Sequence, residues 1–268
     1  MPTVERAGAT LHYEVIDIVA PWIEPAPTLL FHHGVSTTSG IWSEWLPILA
    51  DRWRIVRFDM RGFGRSSRPE PGFAWSFETL VADALAVADA AGAERFHFVG
   101  ESAGGTVGLA LALSHPGRLA TLTLCNAAHR GTAIRNVRGV WRERIEAEGQ
   151  AAWADHMMRE RFHPGALTAD KDAWFRREQA TCSPEATLAI AELLLRTDLS
   201  PGIPGIRAPT LLLSPDGSPF VAAGMMAELR DALPDAELQV FAHARHGLPF
   251  SHARECAAAL RSFLERRG

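Results

Sequence analysis

Thiols are scarce in this chain of 268 residues, which carries only Cys125, Cys182 and Cys256. An odd number, widely spaced and without metal-type intervals, predicts neither a disulfide framework nor a cysteine-built metal site. It suits reduced thiols inside a core. Basic blocks are also missing: charges of both signs are mixed along the chain and the formal net charge is −4. Nucleic acid is therefore not an expected partner. No apolar run approaches the roughly 20 residues that a membrane span needs. The stretch Met1-Pro2-Thr3-Val4-Glu5-Arg6 does not show a basic segment leading into an apolar one. A cytoplasmic location without a membrane partner is the expectation. Internal repeats and low-complexity tracts are absent as well.

What is present is hydrophobic sequence, 47% of the residues, in a chain long enough for one large α/β domain with an insertion or for two small domains. Alternation over 10–15 predicts an N-terminal hairpin strand. Buried-type strands are predicted at 28–31, 53–58, 95–99 and 119–124, with helical stretches between them, most clearly 77–91. After Asn126 the texture changes: 127–200 is rich in Arg, Trp and Glu, helical in pattern, and without a convincing strand. Trp141, Trp153 and Trp174 with Met157 and Met158 suit a helical cap packed over something. Strands resume at 209–213 and 238–241, and 255–267 reads as an amphipathic closing helix. This order predicts an α/β fold, a mostly parallel central sheet with a helical cap. Residues 1–126 and 201–268 would form the core and 127–200 the inserted cap.

One segment of this pattern carries chemistry. Phe96-His97-Phe98-Val99-Gly100-Glu101-Ser102-Ala103-Gly104-Gly105 runs from a short apolar strand through Gly-x-Ser-x-Gly into a helix-prone stretch. This is the setting of a nucleophile elbow, in which a serine on a sharp strand-to-helix turn exposes its Oγ above the sheet. Gly100 and Gly104 lack the side chains that would collide across such a turn. Ser102 is the candidate nucleophile. A base should follow late in the chain, and His246 sits in a loop after the last predicted strand. The Ala103 amide, directly after the serine, is one candidate oxyanion donor, and the Val35 amide, in the loop after the strand at 28–31, is the second. Adjacent His32 and His33 point to opposite sides of an extended chain and have no further ligand at suitable spacing, so no metal is expected. For the acid that orients His246, Asp216 lies just past a strand's carboxyl end, although Pro215-Asp216-Gly217 is also a turn signal. Asn126 is the alternative orienter, able to hold an imidazole but not to stabilise its cation as a carboxylate does. The loop Arg61-Gly62-Phe63-Gly64-Arg65-Ser66-Ser67 lacks the full Gly-x-Gly-x-x-Gly of a dinucleotide site, and no cofactor is expected.

With these residues in place the chain resembles the α/β-hydrolase superfamily over essentially its whole length. His33-Gly34 with Trp42 downstream is similar to that family's oxyanion loop, and Asp59-Met60-Arg61-Gly62-Phe63-Gly64-Arg65-Ser66-Ser67 to its Asp-x-Arg-Gly-x-Gly-x-Ser loop. Within the superfamily the closest resemblance is to 3-oxoadipate enol-lactonases, through Asn126-Ala127-Ala128, Gly131-Thr132, Trp141-Arg142-Glu143-Arg144-Ile145, Glu148-Gly149, Arg161-Phe162-His163-Pro164 and Arg196-Thr197-Asp198-Leu199. The resemblance implies a serine hydrolase acting through an acyl-serine on a small, carboxylate-bearing ester, enol-lactone or amide. Trp42, Trp141, Arg130 and Arg135 are the candidate substrate contacts, with Arg138 and Arg142 as further cap arginines able to meet a carboxylate. Family members place the acid as Gly-x-x-Asp after this strand, a position held here by Ser218. C–C bond hydrolysis of a vinylogous diketone, and ligand binding without turnover, stay open as alternatives.

Overall fold

Among the described residues, eight strands form one sheet in the order β1-β2-β4-β3-β5-β6-β7-β8, in which β2 is antiparallel to both its neighbours, β1 and β4, and all other neighbours pair in parallel. The structure is a computed structural model and describes residues 2–6 and 8–267. In chain order the first half contains β1 (Thr3–Arg6), β2 (Ala9–Ile16), β3 (Thr28–His32), α1 (Leu46–Leu49), β4 (Arg54–Phe58), α2 (Phe77–Ala90), β5 (Phe96–Glu101), α3 (Ala103–Ser114) and β6 (Leu119–Cys125). The second half contains α4 (Val140–Arg161), α5 (Ala169–Thr181), α6 (Pro184–Arg196), β7 (Thr210–Pro215), α7 (Ala223–Ala232), β8 (Ala236–Phe241), α8 (Leu248–Ser251) and α9 (Ala253–Arg267).

The central strands are apolar on both faces because both faces are covered. Alternate residues divide between two cores. Leu30, Phe98, Leu122 and Leu212 pack on the side of α2, α3 and α7, whereas Leu29, Phe31, Val99, Leu211 and Leu213 pack on the side of α9. Strand order reverses at β3 and β5, since the chain leaves β3 for β4 on one side and then returns to β5 on the other. Ligands of such sheets bind outside the carboxyl ends of the strands at this switch point. Between β6 and β7 the regular elements are the helices α4, α5 and α6, joined by loops, with one isolated bridge pairing Arg130 with Asp198, and α4 is broken at Gly149, whose φ is 84°. Among the described residues, no helix is long and apolar enough to cross a membrane.

Candidate active site

Ser102 follows β5 directly and begins α3 as its N-cap, with φ 52° and ψ −116°. A non-glycine residue at positive φ is strained and persists only where its surroundings fix it. Here the surroundings are close-packed backbone. A Cβ on Gly104 would lie 2.4 Å from the His32 carbonyl oxygen, and one on Gly34 would lie 2.9 Å from Ser102 Cβ. Only glycine at both positions lets the loop after β3 seat against the turn after β5. Val35, in that loop, and Ser102 line one pocket, and Ala103, as first residue of α3, has an amide without an intrahelical partner.

His246 arrives from the loop after β8, and its Nε2 lies 3.0 Å from Ser102 Oγ. The ring is buried, with Phe220 edge-on to it at 4.9 Å between centroids. Its Nδ1 meets Ser218 Oγ at 3.0 Å. A family model of the alpha/beta hydrolase fold matches residues 27–253. The chain belongs to the α/β-hydrolase family.

The carbamate hydrolase RutD of Caulobacter vibrioides, a provisional name for that protein, is 30% identical to this hydrolase over 261 residues, 95% of each chain. Among solved structures, the enol-lactonase from Burkholderia xenovorans LB400 is 27% identical, with a TM-score of 0.86 over 98% of this chain and 100% of that one. A hydrolase from Pseudomonas aeruginosa PA01 is also 27% identical, with a TM-score of 0.86 over 98% of this chain and 97% of that one. The superfamily resemblance read from the motifs is thus borne out, and so is the α/β fold with its mostly parallel sheet.

The acid differs from expectation. Asp216 does not hold the imidazole: its carboxylate accepts the His243 and Ala244 amides at 3.0 and 3.1 Å and so fastens the loop that carries His246. Burial works against that charge, but the two amides outweigh it and keep the Asp216 carboxyl below its ordinary range. Asn126 reaches His246 through the backbone instead of the ring, its Nδ2 donating to the His246 carbonyl oxygen at 2.6 Å. Its Oδ1 is buried without a protein partner. Ser218 alone faces Nδ1, at the position that the family's spacing reserves for the acid.

The pocket at Ser102 is lined mainly by apolar groups, among them Ile134, Val137, Trp141, Leu194, Phe220 and Val221. Trp141 is therefore in place, but Trp42 is not: it is fully buried in the second core, tilted against Phe31 at 5.0 Å and edge-on to Trp45 at 5.1 Å. Neither Arg130 nor Arg135 lines the pocket. Arg130 pairs with Glu228, Arg142 with Glu192 and Glu146, and Arg135 and Arg138 point outward as exposed residues. Arg130 and Arg142 are thus engaged in ion pairs and Arg135 and Arg138 are exposed, so the carboxylate-binding role expected of these arginines has no geometry behind it.

Two charged residues escaped the sequence reading. Glu101, the variable residue inside the elbow motif, is wholly buried, with Oε1 3.9 Å from His246 Nε2 and 4.0 Å from Arg161 Nη1. Burial pushes its carboxyl up to about 7, against the Arg161 charge and a hydrogen bond from the Gly34 backbone. His246 is driven down to about 3, first by burial and then by Arg161. Nothing in the periodicity marks Arg161 as inward-facing. The remaining motif residues are structural. His32 and His33 each place Nδ1 on a backbone carbonyl oxygen, at 2.9 and 2.8 Å, and His33 Nε2 accepts the Met60 amide at 2.8 Å. Asp59 accepts the Ser39 and Arg65 amides, and Arg61 pairs with buried Asp83.

Proposed function

We propose that this protein is a serine hydrolase that cleaves small, uncharged, largely apolar esters, lactones or amides through an acyl-serine. The observation that carries the reading is the 3.0 Å contact of His246 Nε2 with Ser102 Oγ, made on a serine held at φ 52° beside an apolar pocket. In the reaction Ser102 Oγ adds to the substrate carbonyl as its proton passes to His246 Nε2. The oxyanion is received by the Val35 and Ala103 amides, donors of a kind whose single loss costs about 2.7–4 kcal/mol of transition-state stabilisation. His246 then gives the proton to the leaving alcohol or amine. Water, deprotonated by His246, adds to the acyl-serine and releases the acid and Ser102.

Substrate class follows from the lining. No lysine or arginine lines the pocket among the described residues, so a substrate carboxylate would lose its hydration without gaining a cation. Asn126 lines the pocket with a buried, unpartnered Oδ1, which suits a donor near the carbonyl such as an amide or carbamate N–H. The names of the enol-lactonase and carbamate hydrolase relatives point to carbonyl substrates of the same kind. A fluorophosphonate probe should label the wild type and not Ser102→Ala. p-Nitrophenyl acetate and butyrate should be cleaved in preference to the octanoate and to a succinate monoester. Equal labelling of Ser102→Ala, or unchanged turnover by it, would overturn the reading.

A further inference from the structure

Ser218 Oγ stands within hydrogen-bonding distance of three nitrogens: the Phe220 amide at 3.3 Å, the Val221 amide at 3.1 Å and His246 Nδ1 at 3.0 Å. A hydroxyl has two lone pairs and one proton, and a backbone amide can only donate. The two amides therefore occupy both lone pairs, and the hydroxyl proton is left for Nδ1. The two amides and the ring admit one consistent arrangement, in which Nδ1 accepts. The ring's own proton is then on Nε2, where it points at Ser102 Oγ.

We propose that Ser218 is a positioning residue that holds His246 in its Nε2–H tautomer, so that the resting site keeps Ser102 unactivated. A ring already protonated at Nε2 cannot take the serine proton there. Turnover first requires Ser218 to release an amide, turn its hydroxyl proton away and accept from Nδ1, while the ring proton moves from Nε2 to Nδ1. The cation formed on attack then meets no negative charge at Ser218, and its Nδ1–H is accepted only while one of the two amides goes without its acceptor. The same three nitrogens, two amides and Nδ1, are a donor set that a carboxylate at 218 would satisfy in full, and that carboxylate would force the Nδ1–H form. In a serine–histidine–aspartate triad, replacing the acid by its amide fixes the wrong tautomer and costs about 10⁴ in kcat. This inference rests on the hydrolase reading for its consequence in rate, but not for the tautomer itself.

The test begins with the wild-type protein. ¹⁵N NMR at neutral pH, with His246 identified by its loss in His246→Gln, should show a protonated Nε2 and a bare Nδ1. A protonated Nδ1 overturns the proposal. Ser218→Asp, at a partly exposed position, should reverse the two nitrogens. It should also raise kcat/KM for p-nitrophenyl acetate by at least about 100-fold. The acid limb of its pH–rate profile should move upward, because the new charge joins Glu101 and Arg161, the charged groups already facing the ring. A folded Ser218→Asp that keeps Nε2–H, or that reverses the tautomer without a gain in rate, also overturns it. If that variant does not fold, the wild-type spectrum decides alone. If the spectrum is as expected while Ser102 takes no fluorophosphonate, the hydrolase reading fails and the tautomer assignment stands.

Discussion

Arg161 of α4 donates through Nη2 to the Val35 carbonyl oxygen at 2.8 Å, and its Nη1 lies 4.0 Å from Glu101 Oε1. One fully buried guanidinium thus ties the helical stretch between β6 and β7 to the loop after β3 and to the elbow after β5. The Val35 amide and the Val35 carbonyl belong to adjacent peptide planes, so the bond to Arg161 also fixes the direction in which the candidate oxyanion donor points.

Arg161→Met should therefore cost both stability and rate. It strands the Val35 carbonyl and leaves Glu101 without its cation. Breaking a buried pair from one side typically costs about 3–5 kcal/mol. Urea denaturation should show a loss of that size, and kcat for p-nitrophenyl acetate should fall more than KM rises. Stability within about 1 kcal/mol of wild type would mean that water already satisfies these groups.

The pH dependence has a sign set by burial. His246 is lowered to about 3, His32 to about 3 and His97 to about 4, in each case first by burial. In the unfolded chain these rings take a proton near 6.5. The folded state binds fewer protons between those values, so the contribution to stability is complete above about pH 6.5 and is lost as pH falls toward 3. Thermal melts should show Tm falling steadily over that window. Activity should be flat from about pH 8 to about pH 5, because the free base persists there. An acid limb centred on 6.5 would show that His246 is hydrated in the working enzyme.

Asp216→Asn separates the loop anchor from the triad acid. With its carboxylate on the His243 and Ala244 amides, Asp216 should matter to the loop and little to the chemistry. The expected loss is about 0.5–1.5 kcal/mol of stability, as for other hydrogen bonds, with kcat within a few-fold of wild type. Because its carboxyl is held below the ordinary range, that contribution is present above about pH 4 and disappears as pH falls further. A loss of about 100-fold or more in kcat at unchanged Tm would place the carboxylate in the reaction.

The contrast between Asp216 and Ser218 shows where sequence stops being informative. Strands at 28–31, 95–99 and 119–124 were legible because runs such as Thr28-Leu29-Leu30-Phe31 have no polar face, which only a sheet covered on both sides explains. Ser102 was legible because its two flanking glycines mark backbone contacts, not side-chain ones. Beyond β7 no such period exists. Two residues in a turn decide whether a side chain meets the ring or the loop, and turn chemistry alone favours Asp216 in either role. The family's spacing named position 218, but composition argued for the nearest carboxylate. Arg130 and Arg142 were illegible for another reason. Their partners Glu228 and Glu192 lie far away in the chain, and no local pattern distinguishes an arginine awaiting a substrate from one already paired.

Trp141 lines the pocket and is joined to His246 through a chain of rings. It is edge-on to Trp153 at 5.0 Å and to Phe220 at 5.6 Å, and Phe220 is edge-on to His246 at 4.9 Å. Full truncation would open a large cavity and cost about 3–5 kcal/mol, so Trp141→Leu, which keeps part of the apolar volume, is the better probe. The freed space should accept a longer acyl chain, each buried methylene contributing about 0.8 kcal/mol. Four further methylenes set an upper bound of about 3 kcal/mol on the gain, and incomplete burial reduces it. The ratio of kcat/KM for p-nitrophenyl hexanoate over acetate should therefore rise at least about tenfold, with kcat for the acetate changed little. An unchanged ratio in a variant that keeps its fold would mean that the acyl group lies against another wall, most directly the Ile134 and Leu194 side.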